Sequence, residues 1–291
     1  MLRSMTGFGQ AAAVVDDGTI HMEVRTLNSK FLDLGLRIPS ILAEKEAEIR
    51  AMIQDQLERG KISVSIEYER NVQEKISPRF NEVRFTAYYA ELKKLADRVM
   101  APYDNLFELA LRAPDVGVDA VEKASPDVLE KFSGAFLSAL GQCNEFRDKE
   151  GAVLAEKLES YVRTVEERLD EVIKLDPLRV TKIRTKIKKN VTEFFGDEGF
   201  DANRLEQEIL YYIEKLDIHE ERVRLKAHAS HFLEAMRGPR PHGKKLGFIA
   251  QEMGREINTI GSKANDAAMQ KEVIMMKEEL EKIKEQLNNV L

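Results

Sequence analysis

The chain contains no tryptophan and a single cysteine, Cys143, among its 291 residues. One thiol cannot close an internal disulfide or build a zinc-cysteine site, so it fits a reducing compartment. Long hydrophobic runs are missing too. The longest is the five residues from Ala11 to Val15, far short of the roughly 20 needed to cross a bilayer. The opening "MLRSMTGFGQ" has no apolar core of the kind that marks a secretory leader. A cytoplasmic protein without a membrane partner is the expectation. No glycine-rich phosphate loop or Ser-His-Asp signature occurs, which leaves nucleotide-binding and serine-hydrolase chemistry without support.

What is present is charge, at 33% of residues with a net of −6. The average hides an uneven distribution. Residues 179–190, "RVTKIRTKIKKN", hold six basic side chains and no acid, and residues 236–247, "MRGPRPHGKKLG", hold four more plus His242. A chain that repels nucleic acid on average still offers it a basic track there. Lys182, Lys186 and Lys189 share one face of the first segment, opposite the apolar Val180, Ile183, Ile187 and Val191. Such a face is also an ordinary solvated helix surface.

The first seventy residues alternate with strand periodicity. Ile20, Met22 and Val24, then Leu32, Leu34, Leu36 and Ile38, then Ile62, Val64, Ile66 and Tyr68 each recur at every second position. "DDG" at 16–18 is a hairpin signal. Between the second and third runs, "SILAEKEAEIRAMIQDQLERG" reads as a helix capped by Ser40 after Pro39 and stopped by Gly60. From about residue 80 the pattern is helical, punctuated by prolines, by "DPL" at 176–178 and by loops at 195–203 and 237–245. The fold expected is an α+β N-terminal domain, residues 1–155, followed by an all-α helical C-terminal domain, residues 156–291, and is predominantly helical overall. The last helix carries Met269, Val273, Met276, Leu280, Ile283, Leu287 and Val290 at alternating spacings of four and three. That seam suits packing within the chain or contact with another subunit.

Two helices near the C-terminus concentrate chemistry. In "LDIHEERVRLKAHASHFLEAM", Asp217 and Glu220 resemble a capping box, and Leu225, Ala229, Phe232 and Met236 form the apolar face. Glu221 and His228 border that face, with Arg224 and His231 farther out. In "GKKLGFIAQEMGREINTIGSK" the stripe is Leu246, Ile249, Met253, Ile257 and Ile260. Glu252 and Glu256 lie along one border in line with Lys245 and Lys263, while Gln251, Arg255, Asn258 and Ser262 form a second polar row. Carboxylates four residues apart project about one turn apart, close enough to chelate one divalent ion with help from His228 or Glu221. The same spacing is more often a solvated face, and a histidine bordering a core is more often structural.

The stretches "RSMTGFG", "EVRTLNSKFLDLGLRIP", "DIHEERVRLKAHASHF" and "GKKLGFIAQEMGREINTIGSK" together resemble the YicC/YloC family of bacterial endoribonucleases from end to end. The departures are Ser29-Lys30, where the family pattern has a His-Arg pair, and Gly254, where it has Asn. The resemblance implies a homo-hexamer enclosing RNA in a channel and cleaving single-stranded RNA with divalent metal. On that basis Glu252, Glu256, His228 and Arg255 are the expected catalytic set, with Glu221, His228, Glu252 and Glu256 holding Mn²⁺ or Mg²⁺. Lys182, Lys186, Lys189, Arg240, Lys244, Lys245 and Lys263 are expected to bind RNA phosphates, and Gln251 and Asn258 to reach ribose or base edges. Arg224 is a second candidate for steadying phosphate oxygens. A metal-free route would use His228, His231 or His219 as acid and base. The non-catalytic alternatives are an oligomeric RNA-binding scaffold serving other nucleases, or an assembly protein whose polar helix joins subunits.

Overall fold

The computed structural model describes residues 2–291 except 17, 30, 71–78, 119–123, 197–200 and 240–241. Strand β1 (Gly7–Val15) pairs antiparallel with β2 (Gly18–Leu27), which pairs antiparallel with β4 (Gly60–Arg70). The edge strand β3 (Leu32–Arg37) runs parallel to β4, giving the order β1-β2-β4-β3. Alternation works as expected from the sequence: Ile20, Met22, Val24, Ile62, Val64 and Ile66 point into one core. Asp17 of the hairpin signal lies outside the described residues.

The segment after Pro39 is not one capped helix. Residues Ser40–Lys45 form a 3-10 turn with no side-chain cap, and α1 (Glu46–Gln56) follows. A small lobe then contains β5 (Arg79–Phe80), α2 (Glu82–Val99), α3 (Leu106–Leu111) and β6 (Gly117–Val118), with β5 and β6 paired antiparallel.

Helix α4 (Pro126–Phe195) is 70 residues long, about 105 Å at 1.5 Å per residue. Ser125 caps it, accepting from the Val128 amide, and Pro126 occupies the first turn, where its missing N–H costs nothing. Its buried positions recur every three or four residues from Val128 to Val172. The first part of that stripe, through Cys143, closes the core over the sheet and α1. The next, from Leu158 to Val172, packs with α6 (His219–Arg237), α7 (Gly243–Lys263) and α8 (Ala267–Leu287) in a second core. The expected boundary near residue 155 thus falls inside one continuous helix. The helix also runs through Pro177, where the sequence suggested a break. Beyond Arg179 it forms an arm whose companion is α5 (Ala202–Lys215).

The heptad seam of α8 is filled by its own chain. Met269, Val273, Met276, Leu280, Ile283 and Leu287 are all buried against α4 and α7. The seam is therefore not free for a subunit contact. The opening motif is likewise architectural. A Cβ on Gly9 would lie 2.0 Å from the Ala139 carbonyl oxygen, and one on Gly7 would lie 2.9 Å from Cys143 Sγ. The two glycines let β1 press against the α4 backbone. Arg147, fully buried, donates from Nε to Thr26 Oγ1 at 3.2 Å and from Nη2 to the Met5 and Arg59 carbonyls. No helix among the described residues is long and apolar enough to cross a membrane.

Candidate functional site

Helices α6 and α7 pack side by side and antiparallel, and one ion pair fixes their register. Lys263 Nζ, at the end of α7, donates to Glu221 Oε1, in the first turn of α6, at 2.7 Å. Stepping seven residues inward on each helix, about 10 Å, brings His228 level with Glu256. Four residues further along α7, Glu252 comes level with the stretch around His231 and Phe232. The helical periodicity that sends Leu225, Phe232, Met253 and Ile257 into the core turns Glu221, His228, Glu252, Glu256 and Thr259 toward the seam between the helices. Thr259 is not recognisable from sequence as a member of this row, because it sits on the wheel between the two polar borders.

Glu256 is buried and makes no side-chain hydrogen bond or ion pair among the described residues. Glu252 is half-buried, and its Oε1 is shielded from solvent without a hydrogen-bond donor, although the Arg255 guanidinium stands 3.0 Å away. That contact has the distance of an ion pair but not the alignment of a hydrogen bond. The Oε2 of Glu221 is also shielded and undonated. Shielded carboxylate oxygens without donors are costly, so the Oε1 of Glu252 and the Oε2 of Glu221 would each gain from a cation or a hydrogen-bond donor.

As ligands for a hard divalent ion, carboxylates and an imidazole are chemically apt. The described residues nonetheless bring no three His, Cys, Asp or Glu side chains together closely enough to hold one. Glu221 is engaged by Lys263 and lies two turns from the level of Glu256. Glu252 and Glu256, one turn apart on α7, are the carboxylates left without a lysine partner.

The other residues singled out by sequence divide by position. Gln251, Arg255, Asn258 and Ser262 are exposed on the outer face of α7, with Lys244 and Phe248 on the same stripe. Lys245 is exposed near the helix start and Lys263 half-buried at its end, so basic groups flank the carboxylate row at both ends. Arg224 pairs with Glu220 on its own helix, and His231 is exposed. The capping box does not form: Asp217 accepts from the His219 amide, and Glu220 is taken by Arg224. Arg222 and His219 Nδ1 stand 2.9 Å apart. Arg240 lies outside the described residues, as does Lys30.

The basic run 179–190 separates into structural and available groups. Arg179 is fully buried and donates to the Lys263 carbonyl at 2.7 Å, the Leu216 carbonyl at 3.0 Å and Asp176 at 2.5 Å. Arg184 and Lys188 both pair with Glu206 of α5. Lys182, Lys186 and Lys189 are exposed, Lys182 lying 3.5 Å from Asp266 and Lys189 3.6 Å from Glu193. His242, grouped by sequence with the second basic segment, is buried with Nδ1 3.0 Å from the Ala235 carbonyl. It anchors the turn into α7, and the Leu291 carbonyl oxygen accepts from the amides of His242 and Gly243. Gly254 faces α8 and not the carboxylate row: a Cβ there would lie 3.0 Å from Leu280 Cδ2. The glycine lets α7 approach α8 closely.

Residues 2–156 match the N-terminal region of the family described as endoribonuclease YicC-like, and residues 172–291 match that family's C-terminal region. A protein of Clostridioides difficile (strain 630) named probable endoribonuclease YicC is 30% identical over 292 residues, covering all of both chains. A second of the same name, from Haemophilus influenzae (strain ATCC 51907 / DSM 11121 / KW20 / Rd), is 26% identical over 299 residues, again covering all of both.

Proposed function

Because the chain belongs to the YicC-like endoribonuclease family, we propose that it is an endoribonuclease that cuts single-stranded RNA at the seam between α6 and α7. The observation that carries this reading is the carboxylate pair on α7, Glu252 with an Oε1 shielded and without a donor and Glu256 buried without a side-chain partner among the described residues, flanked by lysines at both ends. Lys244 and Lys245 at one end, with Lys263 and Lys182 at the other, draw the phosphate backbone along the groove. The neighbouring Lys186 and Lys189 extend that track along the arm, and Arg240 belongs to the same basic set by sequence. Arg255, held beside Glu252, presents its guanidinium to non-bridging phosphate oxygens. Gln251 and Asn258 offer both donors and acceptors to a ribose 2′-OH or an unpaired base edge.

Mn²⁺ or Mg²⁺ bound by Glu252, Glu256 and His228 would supply Lewis acidity, offsetting phosphate charge and acidifying water. The setting proposed is RNA turnover in the cytoplasm by a homo-hexamer. One observation favours a second route: no three ligating side chains converge among the described residues. In that route the 2′-OH attacks, and His228 and His231 move the protons, leaving a 2′,3′-cyclic phosphate.

The test is cleavage of an end-labelled single-stranded RNA by the purified full chain, with Mn²⁺ or with chelator, alongside Glu256→Gln. Oligomer size and RNA affinity are measured on the same samples. Metal-dependent cutting that disappears in a Glu256→Gln protein of unchanged size supports the metal-assisted reading. Chelator-resistant cutting with cyclic ends supports the histidine route. RNA binding without cutting under any condition sinks both and leaves an RNA-binding scaffold.

A further inference from the structure

Helix α2 carries apolar surface that its own lobe does not use. It packs on α3 along Phe85, Tyr89 and Ala96, with Phe85 meeting Phe107 edge-on at 5.3 Å. Yet Tyr88, Leu95 and Val99 remain 39%, 53% and 72% exposed. These three fall in line with Phe85 and Leu92. The sequence Phe85, Tyr88, Leu92, Leu95, Val99 advances by three and four residues alternately, which is the spacing of a helix-pairing seam. In heptad terms Phe85, Leu92 and Val99 take the first core position and Tyr88 and Leu95 the second. Arg84, Glu91 and Arg98 line one flank.

We infer that this seam pairs antiparallel with the same helix of a second copy of the chain. The charges choose both orientation and register. In an antiparallel pair the two core positions meet across the seam, and residues of that flank face the same flank of the partner. A register that sets Leu92 against the partner's Leu95, and Val99 against the partner's Tyr88, stacks four apolar layers. It also sets Glu91 against the partner's Arg98, twice by symmetry. Sliding by one heptad sets Phe85 against Leu95 instead, but then Arg84 meets Arg98 and Glu91 meets Glu91. Sliding by two restores an Arg84–Glu91 attraction, yet buries only Phe85 and Tyr88, and Arg84 is already paired with Asp115 at 2.5 Å. Arg98 makes no ion pair within 4 Å in its own chain among the described residues, and Glu91 is paired with Lys94 on its own helix, at 2.9 Å, with the Arg98 charge acting on it more weakly from two turns away. Apolar burial and charge therefore agree on a single arrangement, which is two-fold and closes on itself.

The experiment is sedimentation of the full chain at micromolar concentration, with Glu91→Arg, Arg98→Glu and Leu95→Asp. All three positions are exposed, so helix content is expected to match the wild type. Leu95→Asp should raise the dissociation constant by about tenfold or more, and each charge reversal should weaken association. An equimolar mixture of Glu91→Arg and Arg98→Glu should regain wild-type association, since every facing pair is then attractive. A second measurement keeps the inference testable if other surfaces also hold copies together. Under mild oxidation, Leu92→Cys mixed with Leu95→Cys should form a disulfide-linked pair, while Val83→Cys, exposed on another face of α2, should not. The native Cys143 is buried and contributes little background. Failure of the mixture to cross-link above the Val83→Cys control overturns the pairing. Loss of association in the charge reversals without recovery on mixing overturns the antiparallel register.

Discussion

Replacing Arg179 by methionine keeps most of the side-chain volume and removes the guanidinium that joins three elements. Arg179 is 1% exposed and binds the Lys263 carbonyl at the end of α7, the Leu216 carbonyl at the end of α5, and Asp176 one turn back on α4. Methionine leaves two carbonyls at helix ends undonated and strands the Asp176 carboxylate, itself largely shielded. Orphaned acceptors cost about 1–3 kcal/mol each, and breaking a buried charge pair costs about 3–5 kcal/mol. Because Asp176 is able to reorient toward water, a total near 4 kcal/mol is expected. Unfolding entropy of about 2.1 cal/mol/K per residue gives about 0.6 kcal/mol/K for 291 residues. The melting temperature should therefore fall by about 6 °C in a calorimetric scan. The loss should be local as well: releasing the Lys263 carbonyl loosens the turn that holds Lys263 on Glu221, so amide exchange should quicken around residues 260–264 before the sheet is affected. An Arg179→Met protein melting within 1 °C of the wild type, with unchanged exchange there, refutes the reasoning.

Gly9→Ala places a Cβ 2.0 Å from the Ala139 carbonyl oxygen and 2.7 Å from the Cys143 amide, against backbone that cannot swing aside. It should cost about 3 kcal/mol or more, read as an earlier urea midpoint of the N-terminal core. Asp266 caps α8 by accepting from the Ala268 and Met269 amides. Burial pushes its carboxyl pKa up, but those amides and Lys182 outweigh burial and hold it below its ordinary value. Its stabilisation is thus fully present above the unfolded pKa of about 3.9 and lost as pH falls through the lower folded value. Asp266→Ala should cost about 1 kcal/mol at neutral pH, and the gap to wild type should close in acid melts. Burial raises the Cys143 thiol pKa, against the opposing charge of Arg147 and the Thr26 hydroxyl. A thiol reagent at pH 8 should therefore label Cys143 only after unfolding, and fast labelling of the native chain would contradict its place under β1.

How far the sequence speaks depends on whether a residue's role is set by its neighbours in the chain or by its partners in space. Periodicity of two and of about 3.5 is local, and it identified β2, β3, β4 and the buried faces of α6, α7 and α8. Register between helices is not local. Glu252 and Glu256 are legible as a pair because both ride on α7, whereas the level of α7 against α6 is set by the Lys263–Glu221 contact, which no local pattern announces. Capping signals failed at Ser40 and Asp217 for a different reason. A serine or aspartate near a helix start can serve the cap only if the chain enters at the right angle, and here a 3-10 turn and an Asp217–His219 turn take precedence. Pro177 misled because proline removes only one helix bond, about 3 kcal/mol in isolation, while the Asp176–Arg179 clamp beside it ties α4 to the ends of α5 and α7. The basic run shows the same limit most clearly. Six like charges in twelve residues look interchangeable in sequence, but folding buries Arg179, commits Arg184 and Lys188 to Glu206 at close range, and leaves Lys186 without an ion pair among the described residues and Lys182 and Lys189 with only the longer contacts to Asp266 and Glu193. Only those three remain for a phosphate backbone, so the salt dependence of RNA binding along this arm should reflect about three charges and not six.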